Sequence, residues 1–459
     1  MHSVIRRAMM PRLSIIIIAT ALFYSSCQNH HTTSEACYVQ AEGTGFVVGG
    51  VPYSYIGCNL WYGALLGSEA SWGDRDRLCR ELDLLSEMGI KNVRVLAGGE
   101  GVSDRRDHIR PTMQPCPGSY NDTLLEGLDY LMQQLGRRGM KAVLYLHNAW
   151  QWSGGFGTYL EWAGCGEAAP ADDWDAYQAY HRQFVSNDSA RSMALRHTRF
   201  MVSRTNRLTG VPYAEDPALM AWEICNEPRP FSRDSVTKAH FVEWIAEQAQ
   251  AIRAIDPNHL ITTGSEGLYG CEVDIDLFEQ IHLLPDIDYL CVHLWPFTWN
   301  WVGTFASPST AAKAVNKADI LEEEWAQACR HSDGYMEQHI AVAKKIGKPL
   351  VIEEFGYPRD RFEIACHTPT AARDRYYEHL FGYLQHGVAG CNFWAWGGTV
   401  EPPHPFWQQG DPYTGDPAQE EQGLYSVFST DSTTLAIVKK YIPLQKTAKA
   451  SKKAQHKTP

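Results

Sequence analysis

Eight short apolar runs, each ending in polar or aromatic residues, recur along this chain with helical stretches between them. The runs are Tyr53–Trp61, Asn92–Leu96, Ala142–His147, Leu219–Glu227, His259–Gly264, Ile287–Trp295, Pro349–Phe355 and Gly390–Trp396. Between them lie segments of helical periodicity. Leu78, Leu82, Leu85 and Met88 follow a capping Asp74 and stop at Gly89. Asp122–Arg138, Ser189–Leu208, Ser235–Ile255, Tyr335–Ile346 and Ala371–His386 follow the same rule, and Ser432–Tyr441 supplies a last helix. Strand and helix in alternation predict parallel strands joined by helical crossovers. Eight such units predict a (β/α)8 TIM barrel, a single α/β domain with extended loops, over an open doubly wound sheet. No GxGxxG follows the first run and no Walker loop is present, so nucleotide binding has no support.

A barrel keeps its chemistry at the C-terminal ends of its strands. Those ends supply Trp61, Arg94, His147, Asn148, Asn226, Glu227, His293, Trp295, Glu354, Trp394 and Trp396. Of 15 Trp, eight fall at or just after a strand end, whereas core packing would scatter them among helices as well. Tryptophan faces pack on the C–H surfaces of pyranose rings, and Asn, Arg and His hydrogen-bond hydroxyls, so this set suits a sugar. Glycoside hydrolysis needs two carboxyls, one protonated and one ionised. Glu227 and Glu354, on the fourth and seventh strands, face each other across such a mouth. Glu353 adjoins Glu354, but neighbouring strand residues point to opposite faces, so only one of the two is expected at the mouth. Glu223 shares a face with Glu227 four residues deeper, roughly 13 Å down the strand, and is expected inside the barrel.

The segments WEICNEP, with Asn226 directly before Glu227, and EEFG, with Glu354 before Phe355-Gly356, resemble glycoside hydrolase family 5. The resemblance covers roughly residues 45 to 440. It implies Glu227 as acid/base and Glu354 as nucleophile. It implies sugar contacts or support from Arg94 in NVRV, Asn226, His293 and Trp394. VHLWPFTWNW (292–301), NAWQWSGG (148–155) and NFWAWGG (392–398) are similar to bacterial β-mannanases and add Trp61, Asn148, Trp150 and Trp295 to the expected binding set. The implied function is a retaining endo-β-1,4-mannanase acting on mannan, galactomannan or glucomannan. The alternatives are an exo-acting mannanase, a β-1,4-glucanase, or a non-catalytic glycan-binding surface protein. Trp295 stands where many family members carry Tyr, and His147 where mannanase-like sequences often carry Asn.

No metal or cofactor is expected, because neither HExxH nor a complete EF-hand loop occurs. Asp274 and Asp276 read as helix-capping or solvated. The net charge of −12 argues against a nucleic-acid partner. At the N-terminus Arg6, Arg7 and Arg12 precede an apolar run, Leu13–Tyr24, of signal-peptide size. Ser25-Ser26-Cys27 resembles a bacterial lipobox. Residues 1–27 are therefore expected to direct secretion and lipid anchoring at an outer membrane, with secretion without lipid as the alternative. Residues 28–40 read as a tether, 41–444 as the catalytic barrel, and 445–459, with five Lys and no acid, as a disordered basic tail. Of 12 Cys, Cys225, Cys291 and Cys391 lie in apolar runs and read as buried thiols. Oligomeric state is not legible.

Overall fold

The structure is a computed structural model that describes residues 38–102, 105–302 and 322–442. The expected signal segment, the lipobox Cys27 and the basic tail lie outside the described residues. Eight parallel strands form one sheet: β1 (Tyr55–Asn59), β2 (Asn92–Leu96), β3 (Lys141–Asn148), β4 (Leu219–Asn226), β5 (Leu260–Thr262), β6 (Leu290–Leu294), β7 (Leu350–Phe355) and β8 (Gly390–Phe393). Their order runs β5-β4-β3-β2-β1-β8-β7-β6. At the seam between β5 and β6, Asp288 N donates to Ile261 O at 2.8 Å and Thr262 Oγ1 to Tyr289 O at 3.0 Å, which brings the sheet round into a barrel. This is the expected (β/α)8 architecture. Parallel strands need crossovers on the outer face, and burial on both sides explains their mostly apolar outward positions.

The helices are α1 (Arg75–Met88), α2 (Asp122–Arg137), α3 (Asp188–Val202), α4 (Ser235–Arg253), α5 (Ile275–Leu283), α6 (Glu322–Ile346), α7 (Ala371–Phe381) and α8 (Ser432–Tyr441). Their starts follow capping chemistry. Asp74 accepts from Arg77 N at 2.8 Å, and Asp274 caps α5 by accepting from Asp276 N and Leu277 N at 3.1 Å. Helix α6 begins well before the expected Tyr335, with Glu322, Glu323 and Glu324 in its first turn, where the helix dipole favours acids. Two further helices, Gly155–Trp162 and Trp174–His181, lie in the β3–α3 connection.

A three-stranded antiparallel sheet (Val39–Glu42, Gly45–Val48, Val51–Tyr53) precedes β1. The run expected from Tyr53 to Trp61 is thus split between this sheet and β1, and the strand takes up Val39 and Gln40 from the expected tether. Val39 and Phe46 pack with Tyr55, Val143, Ala221, Leu260, Tyr289 and Val351, at the starting ends of the barrel strands. The small sheet therefore covers the end of the barrel opposite the mouth. Among the described residues no helix is long and apolar enough to cross a membrane.

Candidate active site

Arg94 on β2 organises the mouth. A guanidinium has five N–H donors in a fixed fork, and here each of its nitrogens is engaged. Nε and Nη2 donate to Glu223 at 2.7 and 2.5 Å, and Nη2 also donates to Asn226 Oδ1 at 2.8 Å. Nη1 donates to Asn59 Oδ1 at 3.0 Å and to Glu354 Oε1. Glu223 is thus the buried interior residue that its depth on β4 implied. Burial pushes its carboxyl up, and the Arg94 charge opposes that.

Glu354 reaches the mouth through a β-bulge. Against β6, Ile352 pairs with Val292 and Glu354 with His293, leaving Glu353 without a partner residue. The bulge breaks the simple alternation. Glu353 still points inward, lower in the barrel, where it accepts from Tyr289 Oη at 3.0 Å, and Glu354 also points inward, at the rim. The expectation that only one reaches the mouth holds, but both face the interior. Gly356 follows because a Cβ there would overlap the Trp295 ring and lie 3.0 Å from Tyr425 Cδ1.

Glu227 leaves the end of β4 with φ 50°, a left-handed backbone uncommon for a residue with a side chain. Its Oε2 accepts from the Trp150 indole N–H, and its Oε1 lies 2.7 Å from His293 Nδ1. His293 Nδ1 is also 3.2 Å from Glu354 Oε2. One ring nitrogen therefore sits between the two carboxylates, and acceptable oxygens of Glu227 and Glu354 lie within 4.8 Å of each other. Burial pulls His293 down, but the charges of Glu354 and Glu227 outweigh it and raise its pKa to about 10. Burial pushes Glu354 up, but His293 and Arg94 outweigh that and hold it below the ordinary carboxylate value. Glu227, His293 and Glu354 are close enough to hold a metal ion. A ring nitrogen that keeps its proton between two carboxylates is a poor ligand, so the donor set does not favour a cation.

Asn148 and Asn226 complete the floor. Asn226 Nδ2 donates to Asn148 Oδ1 at 3.1 Å, and that oxygen also accepts from Trp150 N at 3.0 Å. Trp394 and Trp295 meet edge to face at 5.9 Å. The remaining strand-end residues lie elsewhere. His147 is next to Asn148 and so faces away from the barrel axis, where Thr198 Oγ1 lies 2.8 Å from its Nε2. Trp396 packs outward, donating to Glu81 at 2.9 Å. Trp61, expected to bind substrate, is enclosed by Tyr62, Trp152 and Tyr413, and its N–H donates to Gly415 O at 2.9 Å. It supports the β8–α8 loop.

That loop, residues 399–431, also brings a residue the sequence did not single out. Burial, then the nearby charges of Asp416, Glu354 and Glu227, push the Glu420 carboxyl well above its ordinary value, and its Oε2 is buried without a hydrogen-bond partner. Nothing local to Glu420 signals a site; only the path of the loop places it there. Asn59 was likewise missed, although it stands at a strand end.

Two carboxylates with oxygens within 4.8 Å of each other at the C-terminal mouth of a (β/α)8 barrel define a glycosidase site. The family model described as "GH family 5 beta-mannosidase-like" matches residues 36–452. The chain belongs to glycoside hydrolase family 5. It is 32% identical to a family 5 mannosidase from Rhizomucor miehei, with a TM-score of 0.79 over 90% of this chain and 98% of that one. It is 26% identical to a rice protein named putative mannan endo-1,4-beta-mannosidase 9, over 85% of this chain and 89% of that one. It is 27% identical to mannan endo-1,4-beta-mannosidase 1 of Arabidopsis thaliana, over 70% and 71%.

Proposed function

We propose that this chain hydrolyses β-1,4-mannosidic bonds of mannan-type saccharides by double displacement with retained configuration. The observation that carries this reading is the Glu227–His293–Glu354 arrangement, with carboxylate oxygens within 4.8 Å, in a family 5 barrel. Ionised Glu354 attacks the anomeric carbon as the bond to the leaving oxygen breaks, and Glu227 gives that oxygen its proton. A glycosyl ester on Glu354 results. Glu227 then takes a proton from water, the water oxygen attacks the anomeric carbon, and the Glu354 carboxylate departs. His293 and Arg94 hold Glu354 ionised, and Asn226, Asn148, Trp150, Trp295 and Trp394 line the sugar's surroundings. In this reading Trp61 acts only through the loop it supports.

Internal cleavage, an endo-β-1,4-mannanase, is supported by the names of the plant relatives. A second reading, release of mannose from chain ends, is favoured by the β8–α8 loop. Its Tyr413 donates to Arg110 O in the β2–α2 loop and its Gly415 receives Trp61, so it crosses over β1. Glu420 on the same loop stands beside the catalytic pair. A groove closed on that side leaves room for a chain end rather than a chain. The products released over time from a soluble galactomannan and from mannotetraose test both modes. Mixed oligosaccharides mean internal cleavage, mannose alone means terminal cleavage, and no turnover of either substrate removes the reading altogether. Secretion with lipid attachment at Cys27 is part of the same proposal. It rests on Arg6, Arg7 and Arg12, the run Leu13–Tyr24 and Ser25-Ser26-Cys27, and Cys27→Ala should move the protein from the membrane to the soluble fraction.

A further inference from the structure

Trp150 meets Glu227 through its indole N–H, yet it stands on a short turn with little structure of its own. Trp150 has extended backbone, Gln151–Ser153 make one 3-10 turn, and Gly154 and Gly155 follow with φ of 100° and 60°. What holds this turn comes from the β2–α2 loop. Glu100 N donates to Ser153 O at 2.7 Å, and Ile109 N to Trp152 O at 2.8 Å. A Cβ on Gly154 would overlap Glu100 O, so the two backbones are in direct contact. The Glu100 side chain then reaches past this contact. Oε2 accepts from Gly155 N at 3.1 Å and Oε1 from Tyr159 Oη at 3.1 Å.

We propose that Glu100 is a positioning residue for the acid/base: it fastens the 150–155 turn that aims the Trp150 N–H at Glu227. This rests on the reading of Glu227 as acid/base. Three features of the geometry separate it from ordinary loop packing. Glu100 is 3% exposed and, among the described residues, holds no ion pair with Arg or Lys, a costly place for a carboxylate that serves only as filler. Gly155 N–H and Tyr159 O–H both donate to it, which suits a carboxylate acceptor. The chain of contacts is short and continuous: Glu100 to Gly155 and Ser153, Ser153 Oγ to Asn148 Nδ2 at 3.0 Å, Asn148 Oδ1 to Trp150 N, and Trp150 to Glu227. The titratable groups packed around Glu100 are Tyr159, Tyr120, Cys225 and, through Tyr159, His147, which in turn touches His197. Burial lifts the Glu100 carboxyl to about 7, and the Gly155 and Tyr159 hydrogen bonds oppose the rise.

A double-mutant cycle on mannotetraose hydrolysis tests the proposal. Glu100→Gln should lower kcat roughly 10- to 100-fold with KM within about threefold, the cost of a misplaced group near the reaction. Trp150→Phe should show the same fall in kcat with KM held, and adding Glu100→Gln to Trp150→Phe should change nothing further. Effects that multiply in the double variant would overturn the proposal, as would a Glu100→Gln enzyme with wild-type kcat. If Glu100→Gln does not fold, Tyr159→Phe removes one of the two donors and must give a smaller change of the same kind, lost in the Trp150→Phe background. Wild-type turnover of mannotetraose checks the functional reading separately, so the two can fail independently.

Discussion

Replacing Arg94 by Met keeps an unbranched but shorter side chain and removes its charge and all its donors. Glu223 and Glu354 are then left in a closed barrel without the Arg94 cation, and Glu354 keeps only His293. Removing one partner of a buried ion pair costs about 3 to 5 kcal/mol. Unfolding entropy of about 2.1 cal/mol/K per residue, over roughly 400 folded residues, is near 0.85 kcal/mol/K. The melting temperature should therefore fall by about 4 to 6 °C. The catalytic effect is larger in kind. Arg94 and His293 together hold Glu354 below the ordinary carboxylate value, so losing Arg94 raises it, and the acid limb of kcat/KM should move to higher pH. Arg94→Lys separates charge from geometry. It should recover part of the stability but little of the rate, because one ammonium cannot reach Glu223, Asn226, Asn59 and Glu354 together. Thermal melts and pH–rate profiles on mannotetraose measure both quantities. An Arg94→Met enzyme that melts within 1 °C of wild type, or keeps its acid limb in place, would refute the assignment of Arg94 as the fixed point of the site.

Three further outcomes follow from the geometry. Glu354→Ala should abolish turnover of every substrate, whereas Glu227→Ala should lose at least about 100-fold on mannotetraose and far less on an aryl mannoside whose leaving group needs no proton. Equal losses on both substrates would exchange or remove the two roles. His293 is raised to about 10, so its stabilising contribution is whole below its unfolded value of about 6.5 and is lost as pH climbs toward 10. Glu354 is lowered, so its contribution is present above its ordinary value of 4.5 and lost as pH falls further. The melting-temperature gap between wild type and His293→Gln should thus be widest between those two values and narrow toward pH 10; a gap that widens with rising pH contradicts the charged His293. Gly356→Ala should cost about 1 to 3 kcal/mol by overpacking Trp295, seen as a lower denaturant midpoint, with a neutral result showing that the ring has room to move.

The sequence by itself determined the barrel, its strand count and the two carboxylates. Those features are local: an apolar run of strand length, a helix cap, and Asn226-Glu227 at a run's end can be read without knowing what packs against them. Tertiary structure decided the rest, because the deciding contacts join residues far apart in the chain. The bulge that turns both Glu353 and Glu354 inward exists only in the register of β7 against β6. His147 and Asn148 are neighbours in sequence, and only the strand's orientation sends one to the mouth and the other to α3. Trp61 looked like a sugar platform until Gly415, 354 positions away, took its N–H. The same loop carries Glu420 to the catalytic pair, and Glu100 reaches the turn beneath Trp150 from another strand's loop. The periodicity of a chain records which residues are buried. Which buried groups meet is set by how loops cross the mouth, and no local pattern encodes that.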